Sequence, residues 1–455
     1  MNRLKKLSIS NFRGFYNKQV VNFAIPEEHG SGLTIIVGPN NSGKTTLIES
    51  LRKFSHDLPQ LEKEERHNQD KTEIKLTNSN GEEKTLSNPQ GSVCVIEDKE
   101  IYPKSTDFYL VSSRRYWTTY FGTNKLSHFD HKRFSLNIDR FGGDSNFGQR
   151  MIEIQENADL KKEYDLIIKK LIPNFSSWHI ELSRGQNYIE YVTGNGDMHN
   201  SEFFGDGVIS LFKIALTLLS DQSDEILIID EPELSLHPQA QKILIQTLSE
   251  HSLKKQIILT THSPYFVVWE DIEKGAKIIR LNKPFDKKCM VNELEDIASY
   301  KNLVNLKYDW QKPHVLDIVA KEVFFSTNIV FVEGQEDMSL ISKFSKNNGI
   351  KLNFELFGYG AGGSGNIYTF LKMANDLGLK GGAIFDGNEK ENYNKCKKDF
   401  PDFCIEKISK DDIRDKKEKD FFDGLFEENG QIKKEKEEEE LKGLIEKIIK
   451  FFNKL

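Results

Sequence analysis

The chain has 455 residues, 37% hydrophobic and 29% charged, with 31 phenylalanines and a formal net charge of −7. Such a composition excludes an intrinsically disordered protein, and the length exceeds one ordinary core, so two domains with room for an inserted arm are expected. The acidic balance advertises no nucleic-acid partner, yet excludes none, because a phosphate backbone responds only to the local field.

The opening "MNRLKKLSISNF" lacks the apolar core of a secretory signal, and no apolar run approaches the length of a bilayer span, so a cytoplasmic protein is expected. Four cysteines, Cys94, Cys289, Cys396 and Cys404, follow no ligand spacing and read as ordinary thiols. Along the chain, "KKLSISNFRGF" and "QVVNFAI" read as paired strands, and "LTIIVGPNNSGKTTLIESLRKF" as strand, glycine-rich loop and helix. Residues Ser55 to Ser92 are polar and turn-rich and read as an insertion or solvent-facing lobe. A helix around Met151 to Leu171, strand-like "HIELSR" and "NYIEYVTGNGDM", and a helix at "VISLFKIALTLLS" follow. The buried strands "EILIID" and "KQIILT" flank another helix, and this alternation implies a mostly parallel sheet.

After Lys283 a polar connector runs to Lys312, and a second alternation begins near Val315: strand "NIVFV", helix, strand "FELFGY", Gly-rich turn, helix, strand "GGAIFD". The tail places Leu441, Leu444, Ile445, Ile448 and Phe452 on one helical face. The partition is 1–290, an α/β domain with an inserted lobe; 291–325, a helical connector; 326–430, a second α/β domain; and 431–455, an amphipathic helix.

"GPNNSGKT", Gly38 to Thr45, satisfies G-x-x-x-x-G-K-[ST] between an apolar strand and a helix. Backbone N–H groups from Gly38 through Asn41, Gly43 and Thr46 would cradle phosphates, with Lys44 reaching the β/γ oxygens and the Thr45 hydroxyl holding Mg²⁺. Asp230, ending "ILIID", would hold the same Mg²⁺, and Glu231 would orient or deprotonate the attacking water. His262 ends a third strand and is placed to contact the γ-phosphate. With these motifs the stretch from Leu4 to about Leu281 resembles an ABC-type ATPase head of the group that includes SMC, RecF and OLD-family proteins. That resemblance puts "FFGDGVISL" at the signature-loop position, where Gly205 and Gly207 would cap the ATP of a second subunit in a head-to-head homodimer. The loop departs from the Ser-Gly-Gly wording with Phe204 and Asp206, Ser201 being the nearest upstream hydroxyl. Arg114 and Arg115 in "LVSSRRYW" read either as a functional segment or as a surface pair.

The strand "NIVFV" runs into Glu333, Gly334, Glu336 and Asp337, and "GGAIFD" ends in Asp386, followed by Asn388 and Glu389. Ligands bind at the C-terminal edge of a parallel sheet, so neighbouring strands there would aim oxygen ligands at one point, as hard divalent cations require. "VFFSTNIVFVEGQEDMSLI" is similar to the start of the Toprim domain that follows the ATPase in OLD (overcoming lysogenization defect) nucleases. The resemblance covers about Ser326 to Glu428 and implies two metals and cleavage of DNA or RNA. "GYGAGGSGN" fits the family's Gly-containing turn between the first two strands. "KDDIRD" would supply Asp412 and Asp415, with Arg414 where an acid is common, and Lys407, Lys410, Lys416 and Lys417 all qualify as the lysine near the scissile phosphate. The family's Asp-x-Asp becomes Asp386-Gly387-Asn388, so one charged ligand is a neutral amide, with Glu389 next in line to compensate.

The expectation is therefore an α/β protein, an ABC-type ATPase followed by a parallel-sheet Toprim domain, using ATP and Mg²⁺ or Mn²⁺ on nucleic acid, with DNA favoured. The resemblance extends to antiphage effectors of the Gabija, PARIS and retron-associated kinds, which implies a defence-system partner protein, RNA or DNA. The rival expectation is an ATP-gated DNA-binding or partner-sequestering regulator whose Toprim site is inactive.

Overall fold

A computed structural model describes residues 3–54, 71–88, 95–97, 108–137, 144, 146–219, 225–283, 288–294, 321–358, 362–416 and 423–454. The chain forms two compact units, residues 1–291 and 292–455. Most of the connector and Lys417 lie outside the described residues. Among the described residues, no helix is long and apolar enough to cross a membrane.

The first unit is built on two sheets. Strands β1 (Leu4–Ser10) and β2 (Gln19–Asn22) precede a short helix α1 (Pro26–His29), then β3 (Leu33–Val37) and α2 (Lys44–Lys53). β4 (Thr72–Asn78), β5 (Glu83–Asn88) and β6 (Val95–Glu97) complete an antiparallel sheet in the order β2-β1-β4-β5-β6. The segment 72–88, read from sequence as a polar lobe, is thus a hairpin whose first strand pairs along β1. The reason is alternation: Ile74, Leu76 and Leu86 are buried with Leu7, Ile9 and Leu47 in one core while their neighbours face outward.

The second sheet holds β7 (Phe108–Val111), β11 (Ile226–Asp230), β12 (Gln256–Thr260), β13 (Lys277–Asn282) and an edge strand β14 (Met290–Glu293), in the order β14-β13-β3-β12-β11-β7. The pairings from β13 through β7 are parallel. LTIIV, ILIID and QIILT are buried at every residue, as β-branched runs covered on both faces should be. Helices α3 (His128–Asn137), α4 (Phe147–Glu156), α5 (Ala158–Leu171), α6 (Asp206–Thr217), α7 (Pro238–Ser252) and α8 (Trp269–Glu273) accompany a small antiparallel sheet of β8 (Phe175–Ser183), β9 (Gln186–Thr193) and β10 (Met198–Asn200).

In the second unit β15 (Asn328–Phe331), β16 (Glu355–Phe357), β17 (Lys380–Phe385) and β18 (Cys404–Lys407) form an all-parallel sheet in the order β16-β15-β17-β18. α9 (Gln335–Asn347), α10 (Ser364–Asp376) and α11 (Lys390–Asp399) connect them, and a two-stranded pair, β19 (Asp412–Arg414) and β20 (Gly424–Phe426), precedes the long helix α12 (Glu435–Lys454). The Gly-rich segment follows β16 and leads into α10, so it is not the turn between the first two strands; residues 359–361 lie outside the described set.

All five apolar residues of the α12 face are buried in one core with Val330, Ile341, Cys404 and Leu425. Each is worth about 1.5–3 kcal/mol, a sum comparable to the whole stability of a domain. A chain ending at Gln431 is therefore expected to lose the cooperative melting transition of the second unit, read by calorimetry. A truncated protein that melts at the wild-type temperature refutes this.

Candidate functional site

Two constellations stand out, one in each unit. In the first, β3 delivers the chain to the loop Gly38–Gly43 and α2 begins at Lys44. Gly38 has φ +146°, and a Cβ there would lie 2.2 Å from the Leu281 carbonyl oxygen, so the turn admits only glycine. Lys44 Nζ donates to the Gly38 and Pro39 carbonyls at 2.9 and 3.0 Å. Burial pushes its ammonium down to about 8, against the opposing pull of Glu231, Asp230 and Glu233.

The loop borders a cavity of about 420 Å³ that also takes in Thr45, Thr46, Glu231 and His262. Asp230 is buried behind it, with Oδ1 accepting from the Thr260 hydroxyl at 2.6 Å. Glu231 sits at φ +49°, its N–H donating to the Thr260 carbonyl, and its Oε1 is 3.6 Å from His262 Nε2. Burial, then the nearby Lys44 charge, lowers the His262 pKa and favours the neutral ring. The strand ends of β3, β11 and β12 therefore meet as the motifs anticipated.

Two features were not anticipated, and the structure decides a third that the sequence left open. Glu233, two residues beyond Glu231, accepts the His262 N–H at 2.6 Å through Oε1, while burial raises its pKa. Arg13, Gly14, Lys283 and Cys289 line the same cavity from distant parts of the sequence, and no local pattern marks them. Arg114 is exposed, whereas Arg115 is buried and is no surface residue. Its Nη2 donates to the Asp230 and Glu231 carbonyls at 2.6 and 2.8 Å, and its Nη1 to Ser210 of α6 at 3.1 Å. Burial lowers its pKa to about 10, which leaves it fully charged at neutral pH.

Gly205 caps α6 and is exposed, as are Asp206 and Phe203, so this helix N-terminus is open to the surroundings. A Cβ on Gly207 would lie 2.7 Å from the Ser235 carbonyl oxygen. Phe204 packs against Trp117, Tyr191 and Phe212, which explains its departure from a small residue: it anchors the helix start to the core. Ser201 is buried and its Oγ accepts from the Ile189 N–H at 3.3 Å, so it is not an available loop hydroxyl.

In the second unit, Glu333 follows β15 and its Oε1 accepts the Asp386 N–H at 3.0 Å, linking two neighbouring strand ends. Asp337 occupies the first turn of α9, where its Oδ2 accepts the Gly334 N–H at 2.6 Å. Gly387 lets the chain after β17 approach the chain after β18: its N–H donates to the Lys410 carbonyl at 2.8 Å, and a Cβ would lie 2.4 Å from that oxygen. This contact leads on to Asp412, which is buried and accepts from Lys416 Nζ at 2.7 Å.

The four carboxylates feel one another. Burial first, then Asp337, Glu389 and Asp412, raises Glu333 to about 7. Burial followed by Asp412 raises Asp337 to about 6, and burial followed by Asp337, Glu333 and Asp412 raises Asp386 to about 9. Lys416 is the one described lysine of the anticipated four that opposes this field at both Asp337 and Asp386. Lys410 is instead paired with Asp423, and Asp415 with Lys433. Arg414 bonds Glu336 at 2.7 Å.

An all-oxygen, multiply anionic donor set suits a hard divalent cation. Among the described residues, however, no group of three His, Cys, Asp or Glu closes on a common point: Glu333 and Asp337 are engaged by backbone N–H groups and Asp412 by Lys416. Asn388 is exposed, whereas Glu389 is half-buried, accepts from Asn392 Nδ2 at 2.8 Å and acts on Glu333.

Comparison with known proteins agrees with this division. An AAA domain model matches residues 6–176, and one described as AAA domain, putative AbiEii toxin, Type IV TA system matches 97–268. The model of the overcoming lysogenization defect protein-like Toprim domain matches 324–387, the stretch holding Glu333, Asp337 and Asp386. Endonuclease GajA of Bacillus cereus is 28% identical over 232 residues, 44% of this chain and 31% of GajA. The OLD nuclease of Thermus scotoductus is 32% identical over 112 residues, 24% of this chain and 20% of that protein. Septu protein PtuA of Bacillus thuringiensis is 26% identical over 300 residues, 58% of this chain and 72% of PtuA. The chain thus spans a third or less of the two nucleases it matches. Among solved structures, the Smc head domain of Pyrococcus furiosus with an extended coiled coil covers 68% of this chain and all (100%) of that one, at 15% identity and a TM-score of 0.44. The phosphate loop lies inside one matched range and Glu333, Asp337 and Asp386 lie inside another, so the chain is similar to AAA domains in its first unit and to the OLD-like Toprim domain in its second.

Proposed function

We propose that the protein is an ATP-hydrolysing nuclease that cleaves DNA with a divalent cation at its Toprim domain, in the service of antiphage defence. The observation that carries this reading is that Glu333 and Asp337, at the end of one strand and the start of the next helix, share the C-terminal edge of one parallel sheet with Asp386, and that the charges of these three and of Asp412 act on one another. A fold stabilised by packing alone gains nothing from buried carboxylates that repel one another. The relatives named endonuclease and nuclease support the cleavage part of this reading.

Glu333, Asp386 and Asp337 would hold Mg²⁺ or Mn²⁺, with Glu389 the additional acid and Asn388 a neutral donor. Bound there, a divalent cation supplies a nucleophile near neutral pH and positive charge for the leaving oxygen. Lys416 would release Asp412 and turn its charge to the scissile phosphate. In the ATPase domain Lys44 and the loop amides bind the β/γ-phosphates, Thr45 and Asp230 serve the accompanying Mg²⁺, and Glu231 positions the water with His262 beside it. Gly205 and Gly207, at the open start of α6, would cap nucleotide held by a second copy in a homodimer.

The test is cleavage of plasmid and single-stranded DNA across a metal titration. Wild type should cut, with Mn²⁺ supporting more activity than Mg²⁺, and Glu333→Ala should not cut at any concentration. Asn388→Asp should lower the half-maximal metal concentration. If it leaves the titration unchanged while Glu389→Ala eliminates cleavage, Glu389 is the ligand and Asn388 is not.

Arg115 joins the Asp230–Glu231 carbonyls to Ser210 of α6, so it is a positioning residue for hydrolysis. Lysine keeps the charge but lacks the fork. Arg115→Lys should lower kcat for ATP by up to about 10²-fold with KM little changed, because the strand end shifts while the phosphate loop does not. Equal losses in binding and turnover would mark Arg115 as merely structural.

A second reading, an ATP-gated regulator that does not cut, is favoured by the absence of a closed ligand triplet among the described residues. The same titration decides it: wild type inert with every divalent metal and every nucleic acid supports the regulator.

A further inference from the structure

The charge of α12 is sharply divided along its length. α12 carries five glutamates in its first six residues, then four lysines against one glutamate from Lys442 to Lys454. Complementing the helix dipole accounts for cations in the last turn only, and Lys447 and Lys450 precede it. Between α12 and the edge strand β18 lies a groove of about 770 Å³ whose walls carry Lys397, Lys447, Lys450 and Lys454 against Glu406 and Glu446. Lys447 pairs with Glu406 at 2.7 Å, yet its side chain remains 61% exposed.

The groove follows a strand that leads to the acidic edge. In β18, Glu406 is level with Ile384 and Lys407 with Phe385 of β17, whose next residue is Asp386. At about 3.3 Å per residue, Glu406 stands about 7 Å short of Asp386 along the strand direction.

We propose that this lysine-walled groove is a track for the phosphate backbone of duplex DNA on its way to the acidic edge, an inference that rests on the nuclease reading and names where its substrate is held. Lysines on flexible stems suit sequence-independent phosphate contact. A membrane surface fits less well, because it needs apolar groups standing fully outward beside the cations, whereas Ile448 and Phe452 of this helix are buried inward and Phe451, on the groove wall, is half-buried.

The experiment uses the full chain carrying Lys447→Glu, Lys450→Glu and Lys454→Glu together. A control of equal charge change, Lys343→Glu, Lys346→Glu and Lys351→Glu, alters exposed lysines outside the groove. Binding of a labelled DNA duplex is measured without divalent metal over a salt series, and cleavage is measured separately. The groove variant should bind at least about tenfold more weakly near 100 mM salt and lose up to about 3 from the magnitude of the log–log salt slope, while the control keeps the wild-type slope. Its KM for cleavage should rise with kcat retained, and its ATP hydrolysis and melting temperature should match wild type. Wild-type slope and KM in the groove variant overturn the track. So does an equal loss in the control, or wild-type binding to phosphatidylserine vesicles or polyglutamate in preference to DNA. A wild type that binds DNA through these lysines but cuts nothing with any metal leaves the track standing and removes the nuclease reading.

Discussion

Asp386→Asn is expected to reduce metal-dependent cleavage to background and, at the same time, to raise the melting temperature of the metal-free protein at pH 8. The two effects share one cause. Asp386, Glu333 and Asp337 titrate near 9, 7 and 6, above the usual carboxylate range of roughly 4 in an unfolded chain. The folded state therefore holds these protons more tightly than the unfolded state. Stability from these groups is fully present below about pH 4 and is lost as pH rises through the folded values, because each deprotonation adds a buried charge facing like charges. A neutral amide at 386 removes the most strongly perturbed of them. A domain of this size shifts by about 2–4 °C per kcal/mol, so an increase of about 4 °C or more is expected. Metal-free wild type should melt lower at pH 8 than at pH 6, and added Mn²⁺ should restore the difference, a response flattened in Asp386→Asn. Thermal melts with and without chelator read this directly. A variant that melts below wild type at pH 8 would show that Asp386 serves the fold and not a cation.

Lys44→Ala should abolish ATP hydrolysis and weaken nucleotide binding by about 10²-fold or more, since no other mobile cation in the loop reaches the phosphates. Its partly desolvated ammonium already feels the charges of Glu231, which lines the same cavity, and of Asp230 and Glu233. Glu231→Gln should act in the opposite way: it keeps the shape and hydrogen bonding of the side chain, retains ATP and accumulates the nucleotide-bound dimer. Equilibrium nucleotide binding, turnover and sedimentation separate the two variants. Wild-type turnover by Glu231→Gln would reassign the water-positioning role, with half-buried Glu233 the next residue to test.

Asp386 and Lys44 are both legible in the amino-acid sequence. Each ends a strand or begins a helix within an uninterrupted local pattern, so its place at the C-terminal edge of a parallel sheet follows from the order of elements alone. The hairpin at 72–88 is not legible in the same way, because its polar, turn-rich composition outweighs a period-two alternation that becomes decisive only when β1 lies alongside it. Phe204 looks like a damaged signature residue because nothing local announces that Trp117, Tyr191 and Phe212 surround it.

The α/β class, the phosphate loop, the acid-tipped strands Ile226–Asp230, Asn328–Phe331 and Lys380–Phe385, and the apolar face of the last helix are all readable from residue order alone. These features depend on short-range periodicity and on backbone geometry encoded within a few residues. It takes the folded chain to show that Arg115 is a buried clamp on the Asp230 and Glu231 carbonyls, that Asp412 rather than Asp415 acts on the acidic edge, that Lys416 is the cation facing it, and that a lysine groove flanks β18. Those choices turn on which of several chemically equivalent side chains a distant segment meets. Burial and Coulomb energy, which separate one arginine or lysine from its sequence neighbour, have no value until the chain has folded back on itself.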